Sequence, residues 1–258
     1  MDIADVDLKN KTIAITGAAQ GIGRALSLAF AQAGSNLALV DLNLERLEQT
    51  CAAARLMGVD ARAYAANVAD EDAVEAAVER IAADFGRFDG VVNNAGILRD
   101  GLLIKVRDGV VVGRMSLEHW RAVIEVNLTG VFLCGRAAAE RMVKFGNGGV
   151  IVNISSISRT GNAGQTNYSA AKAGVVAMAE VWAQELARYG IRTGSIAPGF
   201  VRTDILSAMK PEVLERMIAP IPLKRLGNPD EVAQAARFIF ENDFFTGRCI
   251  DLDGGLRF

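Results

Sequence analysis

Short apolar runs alternate with amphipathic stretches along almost the whole chain, and that alternation predicts an architecture. Thr12–Thr16 reads as a first strand, a helix follows from about Gly23 to Ala33, and Leu37–Val40 is the next apolar run. The pattern resumes with Arg62 to Ala66, a helix from about Glu71 to Phe85, the pair Val91-Val92, a helix from Ser116 to about Lys144, and Val150 to Ile154. Then come a helix from about Tyr168 to Arg188 with Gly190 beyond its end, a strand from Arg192 to Ala197, a helical pair between Asp204 and Phe240, and a last strand near Cys249 to Leu252. Strands buried on both faces read as continuous apolar runs, and right-handed crossovers place helices on both sides of the sheet. The expectation is a single α/β domain over residues 1–258, with its core at 8–255 and a doubly wound parallel sheet of about seven strands. No composition break, internal repeat or low-complexity tract marks a second domain.

Composition narrows the function classes. A hydrophobic fraction of 51% suits a well-buried core, and 26 glycines against 5 prolines suit many tight turns. A formal charge of −2 supplies no basic footprint for nucleic acid, so small ligands are the expected partners. Met1–Asp5 is acidic and unlike a secretory signal, and no unbroken apolar run approaches the ~18 residues of a membrane span. The reading is a cytoplasmic protein with no membrane partner. Cys51, Cys134 and Cys249 have no metal or disulfide spacing, and His119 is the only histidine. A zinc centre or a Ser-His-Asp triad therefore has little to draw on, and no metal is expected.

The first strand runs straight into Thr16-Gly17-Ala18-Ala19-Gln20-Gly21-Ile22-Gly23 and then a helix. Glycines at a strand-to-helix turn let the backbone approach a pyrophosphate, and the helix N-terminus turns free N–H groups toward it. Asp41 ends the second strand, where such a fold places an acid on the adenosine ribose. A carboxylate accepts from both ribose hydroxyls of NAD and repels a 2′-phosphate, and neither the glycine loop nor Leu42-Asn43 supplies an arginine to offset the repulsion. The expected cofactor is NAD(H) in preference to NADP(H). The competing reading of Asp41 is an aspartate that merely opens a polar loop.

Tyr168 and Lys172 stand four residues apart near the start of a helical stretch, shortly after Ser155-Ser156. At that spacing the side chains share a helix face, so the ammonium is expected to favour the phenolate and bring the phenol into use as a general acid or base. Alone, the spacing also fits an ordinary exposed helix.

In chain order, Thr16-Gly17-x-x-x-Gly21-x-Gly23, Asn93-Asn94-Ala95-Gly96, Asn127, Ser155-Ser156, Tyr168-x-x-x-Lys172 and Pro198-Gly199 resemble the short-chain dehydrogenase/reductase family from about Leu8 to Gly255. The resemblance implies a Rossmann fold. It also implies that Tyr168 exchanges a proton with the substrate oxygen, Lys172 binds the nicotinamide ribose, a serine hydroxyl holds the oxygen, and Asn127 holds a water in the proton relay. Counting back from the tyrosine selects Ser155, whereas alignment on the preceding strand selects Ser156. Ser156 is preferred, because a deletion is absorbed more easily in a loop than in a strand. By the same resemblance Gly17, Gln20, Gly21, Ile22 and Gly23 meet the pyrophosphate, and Asp41 and Leu42 the adenosine ribose. Asn67 and Val68 flank the adenine, Asn94, Ala95 and Gly96 pass the ribose, and Pro198, Gly199, Val201 and Thr203 border the nicotinamide.

Gly161–Tyr168 and Ile221–Gly227 resemble the 3-oxoacyl-[acyl-carrier-protein] reductases within that family, which implies reduction of a 3-oxoacyl thioester carried on acyl carrier protein or coenzyme A. Dehydrogenation of another secondary alcohol (a 3-hydroxy acid, a steroid or a polyol) is the alternative. A non-catalytic dinucleotide sensor is a third reading, and the intact set of Tyr168, Lys172, Asn127 and both serines weighs against it. Residues 204–220 are expected to form a mobile substrate lid or else a helix packed permanently on the core. Residues 103–115 depart from the family pattern: two β-prone arms around Asp108-Gly109 predict a hairpin beside the substrate mouth. Lys105, Arg107 and Arg114 make it basic, suited to guiding an acidic carrier or to a plain solvated or subunit contact. The family implies a homotetramer or homodimer, and small residues such as Ala137 and Ala177 permit close helix packing.

Overall fold

The computed structural model describes residues 6–203 and 210–257. Seven parallel strands form the central sheet: β1 (Thr12–Thr16), β2 (Asn36–Asp41), β3 (Ala61–Ala65), β4 (Gly90–Asn93), β7 (Gly149–Ile154), β8 (Ile191–Pro198) and β9 (Arg248–Leu252), in the order β3-β2-β1-β4-β7-β8-β9. β1 pairs β2 on one side (Ile13↔Leu37) and β4 on the other (Ile13↔Gly90). The order therefore reverses at β1, and in doubly wound sheets the crevice at that reversal takes the ligand.

Alternate side chains of each strand enter separate layers. Ile13, Ile15, Leu37 and Leu39 pack with Leu26 and Phe30 of α1 (Gly21–Gln32) and with Ile239 and Phe240 of the last helix, α8 (Pro229–Glu241). The Phe30 and Phe240 rings meet edge to face at 4.8 Å, joining the ends of the chain. On the opposite face Ala14, Ala38 and Val91 pack against Val74, Val78 and Ile81 of α3 (Glu71–Phe85), together with Ala137 and Met142.

Two elements differ from the expectation. Residues Leu44–Arg55 form a further helix, α2, started by the Asn43 side chain, which accepts from the Arg46 N–H at 3.1 Å. Its buried stripe, Leu47, Thr50, Cys51 and Ala54, has helical spacing but only one large apolar side chain, which makes it a faint signal. The single helix expected over 116–144 is α4 (Leu117–Ile124), a π turn at Glu125–Thr129 and α5 (Gly130–Phe145). Leu117–Phe145 also has the length and apolarity of a bilayer span, but it packs on the sheet with 56% of its most apolar window buried, as a core helix does. Of the expected lid, Pro211–Ile218 is α7, ahead of α8, and residues 204–209 lie outside the described residues.

The insert forms a separate two-stranded sheet, β5 (Ile104–Arg107) and β6 (Val110–Arg114), closed by Asp108 and Gly109 at φ 50° and 78°. Positive φ at both central positions defines the tight hairpin turn that Asp-Gly favours. Its base is fastened beside α6 (Thr166–Leu186): Gly101 N–H donates to the Gly164 carbonyl at 2.8 Å, and Gln165 Nε2 donates to Asp100 at 3.0 Å.

Candidate active site

The turn between β1 and α1 is built by close approach. Gly17 has φ 65°, and a Cβ there would lie 2.9 Å from the Ala95 Cα. At Gly23 a Cβ would fall 2.0 Å from the Gly17 carbonyl oxygen and 2.7 Å from Asn94 Nδ2. Asn94 binds this turn from β4, its Nδ2 donating to the Thr16 and Gly17 carbonyls at 3.0 and 3.1 Å. Thr16 Oγ1 in turn accepts from the Asn94 and Ala95 N–H groups, both at 3.0 Å. The first turn of α1 has neither a side-chain cap nor an acidic residue, so its N–H groups are available to an anion.

Above this turn opens a groove of about 370 Å³. Gly17, Gln20, Gly21 and Ile22 line one wall, Asp41 and Leu42 the end, and Asn67, Val68, Asn94, Ala95, Gly96 and Thr203 the remainder, with Val40, Ile97 and Val126. The donors, the missing Cβ atoms and the acid at the far end fit a dinucleotide: phosphates on the glycine turn and a ribose at Asp41. Gly23 does not line the groove; it packs α1 closely on Gly17 and the Asn94 side chain. Pro198 ends β8, and Gly199 is pressed against Asp253, whose Cα a Cβ would meet at 2.8 Å. Val201 is buried and lines a separate cavity of about 80 Å³ with Phe200 and Leu252.

Asp41 also braces the groove. Its two carboxylate oxygens accept from the Ala19 N–H at 3.1 Å and the Asn43 N–H at 3.0 Å, tying the loop after β1 to the loop after β2.

Tyr168 and Lys172 lie on the first turns of α6, where it crosses the end of β7. Lys172 is 3% exposed; its Nζ donates to the Ile154 carbonyl at 2.7 Å and stands 5.5 Å from the centre of the Tyr168 ring. Burial lowers the Lys172 ammonium to about 8. Burial raises the Tyr168 phenol to about 12; the neighbouring Ser156 hydroxyl favours the phenolate, and the Asp100 charge opposes it. This corrects the expectation that the lysine ammonium makes the phenol more acidic: burial outweighs the groups that favour the phenolate. The lysine charge is engaged by the end of β7, and Ser156 is the group that favours the anion.

The two serines divide cleanly. Ser155 Oγ is buried and donates to the Lys172 carbonyl at 2.6 Å, pinning β7 to α6. Ser156 Oγ accepts from the Ser158 N–H at 3.1 Å at the head of a short 3₁₀ turn and faces Tyr168. Asn127 lies in the π turn and is fully buried. Its Oδ1 accepts from the Ile97 N–H at 2.8 Å and its Nδ2 donates to the Ile97 carbonyl at 3.0 Å. With these two bonds the Asn127 side chain braces the loop that follows Gly96.

Sequence reasoning passed over Asp100 and Gln165 beside the tyrosine, and Arg46, whose guanidinium donates to the Gln20 side-chain carbonyl at the groove rim. Arg46 gave no signal because α2 itself was missed; Asp100 and Gln165 meet only through the insert's tether.

A switch-point groove with a glycine turn, next to a phenol, a serine and a lysine, defines a nucleotide-dependent oxidoreductase. Comparison with known proteins agrees. The enoyl-(acyl carrier protein) reductase family model matches residues 17–257. The chain is 42% identical to a 3-oxoacyl-[acyl-carrier-protein] reductase of Thermotoga maritima, over 96% of this chain and 98% of that one. It is 38% identical to a (3R)-3-hydroxyacyl-CoA dehydrogenase of Canis lupus familiaris, over 96% and 97%. A short-chain type dehydrogenase/reductase from Mycobacterium marinum superposes with a TM-score of 0.87 at 31% identity, covering 96% of each chain. The chain belongs to the short-chain dehydrogenase/reductase family, and the family and fold imply a nicotinamide dinucleotide.

Proposed function

We propose that this protein uses NAD(H) to interconvert a ketone and a secondary alcohol, acting chiefly to reduce a 3-oxoacyl thioester to its 3-hydroxyacyl form. The observation that carries the reading is the meeting of Ser156, Tyr168 and Lys172 at the end of β7, beside the groove that ends at Asp41. A bound nicotinamide supplies the hydride. The chain's own task is the oxygen: Ser156 and Tyr168 donate hydrogen bonds to it as alkoxide character builds, and Tyr168 passes its proton to it. A phenol raised to about 12 remains protonated at neutral pH, which suits it to the acid role in reduction. Lys172 holds the nicotinamide ribose as a buried cation, and Asn127 keeps the loop after Gly96 in place behind it. Asp41 selects the unphosphorylated adenosine ribose.

The same reading gives the insert a role. Ile104, Val106 and Val110–Val112 are each more than half exposed, among Lys105, Arg107 and Arg114, on a hairpin fastened to the loop that precedes Tyr168. An acidic carrier protein or the phosphates of coenzyme A would meet these cations before the acyl chain reached the phenol. Subunits would associate in pairs or fours through α4, α5 and α6.

The deciding assay is kcat/KM for a panel of 3-oxoacyl thioesters, 3-hydroxy acids and secondary alcohols with each nicotinamide. Highest kcat/KM for an oxoacyl thioester with NADH is expected. A preference for steroid or polyol substrates would move the assignment to the other alcohols, and a preference for NADPH would sink the cofactor assignment. Deleting the hairpin should raise KM for acyl thioesters and leave small ketones unaffected; equal changes for both would remove its guiding role.

A further inference from the structure

The adenosine end of the groove carries a cation as well as an acid. Arg46 stands at the third position of α2, where the Asn43 cap fixes its backbone at the groove rim. Its guanidinium reaches back over the glycine turn to the side-chain carbonyl of Gln20, a residue of the groove wall. Gln20 is neutral, and among the described residues Arg46 makes no ion pair. An exposed guanidinium with five donors thus spends one on an amide and keeps its full charge. Asp41, meanwhile, has already committed both oxygens to the backbone at Ala19 and Asn43, which leaves fewer lone pairs for ribose hydroxyls.

We propose that Arg46 is a second specificity determinant at this end of the groove, a foothold for a 2′-phosphate that makes the selection exerted by Asp41 graded. The proposal rests on the dinucleotide reading of the groove and deepens it. A 2′-phosphate beside Asp41 meets repulsion from one side and a forked, charge-assisted donor from the other. NADPH then binds measurably, more weakly than NADH, and its binding is the more salt-sensitive of the two. Gln20 positions the guanidinium by holding it over the turn.

The test is equilibrium binding of NADH and NADPH to the whole protein, followed by nicotinamide fluorescence, for the wild type, Arg46→Ala, Arg46→Lys and Gln20→Ala. Arg46→Ala should raise the Kd for NADPH by about tenfold or more, the value of a charge-assisted contact, and that for NADH by less than about twofold. Arg46→Lys should fall between, because it keeps the charge and loses the fork. Gln20→Ala should weaken NADPH more than NADH. Equal changes for the two nucleotides, no change, or a wild type that binds NADH and no NADPH would overturn the proposal. A wild type that prefers NADPH would defeat the Asp41 assignment, while the selective loss in Arg46→Ala would still uphold the arginine's role. Binding of neither nucleotide would overturn both.

Discussion

Lys172→Met should make the protein more stable at neutral pH while removing its activity. The lysine is 3% exposed, and burial lowers its ammonium from 10.5 to about 8. At 1.36 kcal/mol per unit, holding that charge in the fold costs about 3 kcal/mol. Methionine removes the cost and also removes the bond from Nζ to the Ile154 carbonyl, worth about 2 kcal/mol as a charge-assisted contact. The balance leaves the variant about 1 kcal/mol the more stable at pH 7, or about 2–4 °C in Tm for a chain of this size. The pH dependence is sharper. Because the folded-state value is the lower one, the penalty is complete below about 8 and fades as pH rises toward 10.5, where the unfolded chain also loses its proton. Wild type should therefore gain about 2–3 kcal/mol on the variant between pH 7 and pH 10. Urea unfolding of both proteins at unit pH steps reads that difference directly. A gap that stays level over the range would refute the buried-cation argument.

Ser156→Ala should lower kcat by about 10²–10³, the usual cost of one donor to a developing oxyanion. Ser155→Ala should cost about 1–2 kcal/mol of stability through its lost bond to the Lys172 carbonyl and leave kcat within a few-fold; the reverse pattern would exchange their roles. Gly23→Ala places a Cβ 2.0 Å from the Gly17 carbonyl, and should cost at least about 3 kcal/mol and most of the dinucleotide affinity, read by unfolding and by nicotinamide fluorescence. The kcat/KM of reduction should be level below about pH 8 and fall above it as free Lys172 loses its proton, while oxidation climbs with pH as the Tyr168 phenol approaches about 12. A reductive profile without a break near pH 8, or one unchanged in Lys172→Arg, would detach that titration from the lysine.

The strands were legible because burial on both faces leaves continuous apolar runs, as at Leu37–Val40 and Val150–Ile154. α2 was not, since Leu47 is the only large apolar side chain in its buried stripe. The π turn at Asn127 keeps the composition of a helix and changes only its hydrogen-bond spacing. At the site, a spacing of four could place Tyr168 and Lys172 on one face, but it carried no information about the Ile154 carbonyl that takes the ammonium or about the burial that raises the phenol. Both come from β7 meeting α6, a contact between segments 18 residues apart. The choice between Ser155 and Ser156 rested on strand register, and the structure places Ser156 beside the phenol and Ser155 under the helix. Arg46 reaches Gln20 across 26 residues, which local pattern does not report.

The central claim is that Tyr168 delivers the proton when a ketone is reduced beside a nicotinamide. Single-turnover consumption of NADH with acetoacetyl thioester, followed by absorbance in wild type and in Tyr168→Phe, tests it most directly. Rapid oxidation by the wild type is expected, with a rate about 10²–10⁴ lower in the variant and NADH still bound. A variant rate within a few-fold of wild type, or no absorbance change in the wild type with any 3-oxoacyl thioester, would contradict it.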